Sequence, residues 1–268
     1  MTRSTRPIGR IAVLSAALAL VPATGVAAAG AATGSTATRS APGLTVVAST
    51  SWVGALAKLA GAGKVTIITP ANLQHPPDYE PKASDLLAVR NADFVLLAGY
   101  EGFATKLRDA AGGHAKVVIV STTYLPAALA ASITKLGAAL GTPKAAATGA
   151  ASVKAAIAAV CSDLRMKVMG TKPTVVSHVV VTDWVACAGL KPSGVFGPAP
   201  ITPSEVKKLA ALKPTVVFES HNMAGSGAAV SGSTGAKEIE LENFPGATLD
   251  LVAVAKKNAA LIAGVLAG

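Results

Sequence analysis

A chain of 268 residues, 51% of them hydrophobic, is long enough for one large α/β domain or for two lobes of about a hundred residues each. Lys and Arg outnumber Asp and Glu by 24 to 14, but residues 1–40 hold four of the arginines and no acid, and the lysines are scattered along the rest. With only 4% aromatic residues there is no interleaved basic and aromatic surface, which excludes a nucleic-acid binder.

Arg3, Arg6 and Arg10 precede an apolar run from Ile11 to Val21, and the small residues Ala23, Val26, Ala28 and Ala31 follow. That is the layout of a cleaved secretory signal over residues 1–31, with an uncleaved anchor as the alternative. The run is too short to span a bilayer comfortably. Residues 32–43, rich in Ser, Thr, Ala and Gly, form a flexible tether. No cysteine lies near this boundary to carry a lipid, so the chain is expected to be exported and extracytoplasmic, at the cell surface or secreted, without a lipobox cysteine. Cys161 and Cys187 in an exported chain invite one disulfide between a helix end and a helix in the second half, two buried free thiols being the alternative.

The first strand falls at 44–48, and apolar spacing predicts a helix over 51–60 stopped by Gly61 and Gly63. A β-branched strand at 65–69 runs into Pro70 and a loop that carries His75. A helix from Ser84, a continuous apolar strand at 93–98, a helix to about 111 and a strand at 116–120 complete a lobe over 44–124. From 125 to 170 no strand pattern appears. Ala, Leu, Ile and Lys predict a helix, a break near Gly141-Thr142-Pro143 and a longer helix, which together form a linking backbone.

The lobe over 171–268 repeats the alternation. A strand at 173–178 ends at His178, a helix covers 182–187, and a short strand is expected at 194–196. Thr202, Pro203 and Glu205 mark a helix start. A strand at 215–218 runs into Glu219-Ser220-His221, and one at 239–242 ends at Glu242. The glycine-rich run 225–235 lacks a dinucleotide fingerprint and reads as a mobile loop or weak helix, and an amphipathic helix closes the chain over 249–266. The fold class is therefore α/β: two lobes, each a mostly parallel sheet flanked by helices, joined by a long backbone helix.

Ligands of open α/β sheets bind beyond the carboxyl ends of the strands. There the first lobe supplies His75 and the second His178, Glu219, His221 and Glu242. If the lobes face each other, two imidazoles with carboxylates suit zinc or manganese better than calcium or copper(I). Each residue also has a plainer role: a lone His after a strand is often a hydrogen-bonded surface group, and Glu219 and Glu242 suit helix caps or a cleft rim. His114, in a Gly-Gly turn, is assigned to the plainer role. No nucleophile elbow, phosphate-binding loop or metalloprotease helix is present.

His75 with Tyr79-Glu80-Pro81 and Asp85-Leu86, then Asn91-Ala92-Asp93 to Gly99, then His178 to Gly189-Leu190, occur in this order, with Pro203-Ser204-Glu205, Val217-Phe218-Glu219, Thr234-Gly235-Ala236 and Glu242 after them. As an ensemble, from about residue 44 onward, they resemble the zinc- and manganese-binding solute receptors of bacterial ABC importers, of the periplasmic zinc-binding type. The resemblance implies His75 and His178 as ligands and Glu242 at a position usually held by an aspartate. Two prolines lengthen the step from His75 to Tyr79, which brings in Asp78 as a substitute ligand. The family's second histidine is missing from 122–126, leaving water, Glu219 or His221 to complete the site.

The expected function is a non-enzymatic, monomeric receptor that binds Zn2+ or Mn2+ as cargo between its lobes and delivers it to an ABC permease. The alternatives are the same fold holding a non-metal solute, and a metal-assisted hydrolase with Glu219 as general base.

Overall fold

The computed structural model describes residues 43–223 and 225–267; the expected export signal and all but the last residue of the expected tether lie outside them. The first sheet holds β1 (Thr45–Ala48), β2 (Lys64–Ile67), β3 (Phe94–Leu97) and β4 (Lys116–Ile119), all parallel, in the order β2-β1-β3-β4. Helices α1 (Ser51–Leu59), α2 (Ala83–Arg90) and α3 (Ala104–Ala111) make the crossovers. Val46, Val47 and Ala48 are fully buried, as expected of a strand covered on both faces.

Two helices leave this sheet, α4 (Pro126–Leu140) and α5 (Pro143–Lys167). Gly141 turns the chain at φ 73° and the two fold back as a hairpin, so the helical link is a packed pair in which α5 is the longer member. A 25-residue helix is about 37 Å long, enough to run alongside both lobes. Near its start Gly149 lies against the last residue of α1 in the first lobe. Near its end Cys161 is bonded to Cys187 in the second, which decides between the bridge and two free thiols. Among the described residues α5 alone is long and apolar enough to cross a membrane. Its buried stripe (Ala146, Ala150, Val153, Ile157, Cys161, Leu164) instead packs into the core of this fold.

The second sheet contains β5 (Val175–His178), β6 (Gly194–Phe196), β7 (Val216–Ser220) and β8 (Lys237–Leu241), again parallel, in the order β6-β5-β7-β8. Its helices are α6 (Thr182–Cys187), α7 (Pro203–Ala210), α8 (Ser226–Thr234) and α9 (Leu251–Leu266). The cap read at Thr202 forms: its hydroxyl accepts the Glu205 N–H at 3.3 Å and the Glu205 carboxylate accepts the Thr202 N–H at 2.8 Å. The glycine-rich run 225–235 becomes α8. The closing helix starts two residues later than its apolar pattern, because Leu249 sits at φ 57° and Asp250 caps Val252 and Ala253.

Both sheets have the same topology, each reversing direction between its first and third strand. One apolar core, built from β1, α1, α4, α5, α6, β5, β7 and α9, runs without interruption through both lobes. Two smaller cores cover the outer faces of the sheets. A shared core of this kind resists large hinge motion between the lobes.

Candidate metal centre

The direction reversal in each sheet fixes where a ligand goes: beyond the carboxyl ends of β1 and β3 in one lobe, and of β5 and β7 in the other. Residues at or just past those ends, Trp52 and Tyr100 on one side and Val179, Val180, Ser220 and Asn222 on the other, line one cleft of about 480 Å³. Its floor is an aromatic series that crosses the lobes, with Trp52 to Tyr124 at 5.0 Å, Tyr124 to Trp184 at 4.6 Å and Trp52 to Phe244 at 5.9 Å between ring centroids.

His75 reaches this cleft from the loop after β2. Pro76 and Pro77 hold φ near the helical value and start a single 3-10 turn through Asp78. Side chains three apart eclipse in such a turn, so the Asp78 carboxylate returns over the imidazole, Oδ2 lying 2.6 Å from His75 Nδ1. The extra prolines thus give His75 a carboxylate partner. With Nδ1 engaged, Nε2 is the ring nitrogen left to coordinate a metal were one bound, the arrangement of carboxylate–histidine–metal sites. The loop is held further on by Tyr79, which donates its hydroxyl to Asp85 at 2.8 Å. On the neighbouring strand end, the buried Glu101 accepts from the Ala98 and Gly99 N–H groups at 2.8 and 2.7 Å and from the Ser49 hydroxyl, fixing the turn that presents Tyr100.

The second lobe offers a different set from the one expected. His178 ends β5 but is 1% exposed; its Nδ1 accepts the Val180 N–H at 3.3 Å and Gly197 lies over its Nε2. Burial pushes its pKa below the ordinary value, keeping the ring neutral. Glu219 is fully buried, and its two oxygens accept the Ser220 and Gly227 N–H groups at 2.7 and 2.5 Å. Burial raises its pKa against those two bonds, and the neighbouring Glu238 and Glu240 push the same way. Glu219 is fully buried and does not line the cleft, so it is not placed to serve a hydrolase as general base there. His221 pairs with Glu240 at 2.9 Å, while Glu242 is paired with Lys257; both line a separate hollow of about 240 Å³ beside the main cleft.

The structure therefore brings His75 alone of the five expected ligands to the main cleft. Among the described residues no group of three or more His, Cys, Asp or Glu side chains comes together. Asp183 and Asn243 line the cleft unforeseen. Asp183 Oδ2 accepts the Thr123 hydroxyl at 2.7 Å and the Tyr124 N–H at 2.8 Å, and Asn243 Nδ2 donates to the Val180 carbonyl at 3.0 Å. An acid in the first turn of the helix that follows a direction-reversal strand was the signal available for Asp183.

Two parallel α/β lobes joined by a helical backbone, with a cleft between their strand ends, define a bilobal α/β fold. Residues 46–139 match the family model described as ZnuA, zinc-uptake complex component A, periplasmic. No curated protein matches the chain significantly. The fold is similar to a crystal structure of ZnuA (17% identity, TM-score 0.63, covering 83% of this chain and 99% of that one). It is also similar to the Ni2+ complex of the solute-binding protein FpvC from Pseudomonas aeruginosa (17%, TM-score 0.66, 83% and 96%). A third is a Mn-bound periplasmic metal-binding protein from Candidatus Liberibacter asiaticus (17%, TM-score 0.65, 83% and 99%). The family match covers the first lobe and α4, and across both lobes the likeness to these structures is one of fold.

Proposed function

We propose that the protein is an exported, monomeric receptor that captures a divalent transition metal, zinc or manganese, between its lobes and hands it to an ABC permease. Residues 1–31 act as the export signal, 32–43 as the tether, 44–124 and 171–268 as the lobes, and 125–170 as the link. The single observation that carries the metal is the His75–Asp78 pair on the cleft wall, an imidazole whose tautomer is set by a carboxylate at 2.6 Å. Asp183 supplies an oxygen from the opposite lobe. His178 is a neutral second imidazole that joins only if the turn at Gly197 moves off its Nε2, and Glu242 closes the site only by leaving Lys257. Glu219 and His221 hold loop structure. Zinc and manganese both accept such nitrogen and oxygen donors.

Titration calorimetry of the chelator-treated protein with Zn2+ and with Mn2+ at neutral pH tests this. One ion binds per chain, and His75→Ala weakens it by more than the 10–100-fold typical of losing an outer-shell partner. Absence of binding by either metal, or full affinity in His75→Ala, overturns the reading.

A further inference from the structure

We infer that the metal enters this cleft as a small neutral or cationic chelate, of the kind an amino acid with amine and imidazole nitrogens forms, and that the protein recognises the organic part as well as the ion. The inference rests on the metal reading above and deepens it.

Room is the first argument. A divalent ion with six waters fills about 180 Å³ at the volume of liquid water, whereas the cleft offers about 480 Å³, within the range of small-molecule sites. Donor count is the second. Among the described residues no three His, Cys, Asp or Glu side chains converge, so His75 and Asp183 leave half or more of a four- to six-coordinate shell to be filled from elsewhere. A chelator brings those donors with it.

The wall then says what the chelator looks like. Trp52, Tyr100 and Phe244 give it apolar faces to lie against. Among the described residues five buried polar side-chain atoms lack a hydrogen-bond partner, and four of them belong to residues of this wall: Trp52 Nε1, Ser220 Oγ, Asn222 Oδ1 and Asn243 Oδ1. Buried polar atoms are almost always paired, so such a concentration points to a ligand that pairs them. The amide nitrogens of Asn222 and Asn243 are already donating, to the Gln74 and Val180 carbonyls, which leaves two oxygens that can only accept. They match N–H groups of an amine or imidazole. The Trp52 indole N–H and the Ser220 hydroxyl match a carboxylate. No Lys or Arg lines the cleft while Asp78 and Asp183 do, so a chelate of net negative charge is disfavoured.

Equilibrium dialysis with labelled L-histidine and zinc decides the matter, using the chelator-treated protein. Bare-ion capture and chelate capture predict opposite effects of histidine. If the ion alone is bound, added histidine competes and zinc retention falls. If the chelate is bound, histidine is retained one-for-one with zinc, and zinc binds at least about tenfold tighter than without it. Tyr100→Ala, which removes an aromatic face of this wall, then abolishes that advantage. Zinc retained with histidine excluded overturns the chelate inference and leaves the metal-receptor reading standing. Histidine retained equally without zinc, or neither retained, overturns both. An undiminished histidine advantage in Tyr100→Ala overturns the placement of the organic part on this wall.

Discussion

Tyr124 donates its hydroxyl to the main-chain carbonyl of Asn243 at 2.9 Å, tying the chain just past β4 in the first lobe to the loop after β8 in the second. The bond is buried, and its ring is packed between Trp52 of one lobe and Trp184 of the other. Desolvation holds the phenol far above its ordinary pKa, so it stays a donor throughout the accessible pH range. Together with the Asp183 bonds to Thr123 and Tyr124, it fastens the cleft floor from both sides.

Replacing Tyr124 with Phe keeps the ring packing and leaves the Asn243 carbonyl without its partner. The expected cost is about 1–2 kcal/mol, the range for losing one buried hydrogen bond and stranding an acceptor. Urea unfolding measures it: the midpoint shifts down while the slope stays unchanged. A midpoint equal to wild type would mean that the bond adds nothing to lobe docking.

Asp78→Asn tests the device that the two prolines create. The amide keeps the shape of the turn but lacks the negative charge that sets the His75 tautomer. If His75 binds the metal, zinc affinity should fall by about 10–100-fold, the range for losing an outer partner of a metal-bound histidine, with thermal stability nearly unchanged because Asp78 is exposed. An affinity loss of less than about threefold would remove Asp78 from the site.

The bridge between Cys161 and Cys187 closes a loop of 26 residues between α5 and α6. Chain-entropy arguments give such a cross-link about 3–4 kcal/mol of stabilisation through the unfolded state. The double variant Cys161→Ala, Cys187→Ala should lose roughly that amount in denaturant unfolding, and wild type in reductant should follow it. Coincident curves for oxidised wild type and the double variant would show the bridge to be inert.

Most of the fold could be read in the sequence because its signals are local. The β-branched runs at 44–48 and 93–98, the cap at Thr202 and the break at Gly141-Thr142 each depend on neighbours within a few residues. The site was less legible because it depends on where distant chain ends meet. Apolar strand character correctly placed His178 and Glu219 at strand ends, yet that same burial turned them inward, His178 beneath Gly197 and Glu219 onto backbone N–H groups. Asp78 was visible only as a side effect of two prolines. Asn243 and Asp183 acquire meaning through Val180 and Tyr124, each about 60 residues away in sequence, at distances no local pattern encodes.

Gly149 permits the close approach of α5 to α1. A Cβ there would lie 2.1 Å from the Leu59 carbonyl oxygen, a backbone atom that cannot rotate aside. Gly149→Ala should therefore destabilise by about 1–3 kcal/mol despite the better helix propensity of alanine. Gly264 in α9 has nothing within 4 Å of its would-be Cβ, so Gly264→Ala should stabilise by up to about 1 kcal/mol. Thermal melts of the two variants should move in opposite directions, and a stabilised Gly149→Ala would contradict the packing of α5 on α1.

His178 gives stability a pH dependence whose sign follows from burial. Its ring is buried and neutral, with a pKa below the ordinary 6.5, so on acidification the unfolded chain takes up this proton first. The contribution of His178 is complete above 6.5 and is lost as pH falls through that value toward the lower folded one. Glu219 acts in the opposite sense, since its raised pKa makes its ionisation unfavourable to the fold as pH rises above its ordinary 4.5. Comparing metal-free wild type with His178→Gln cancels the Glu219 term, because both proteins carry it. Urea unfolding from about pH 5 to about pH 7.5 should show wild type losing up to about 1.4 kcal/mol per pH unit more than the variant below the ordinary histidine value. Parallel pH profiles would mean that the ring at the end of β5 is protonated as readily in the folded protein as in the unfolded chain, and it would then not be the neutral second imidazole on which metal capture could draw.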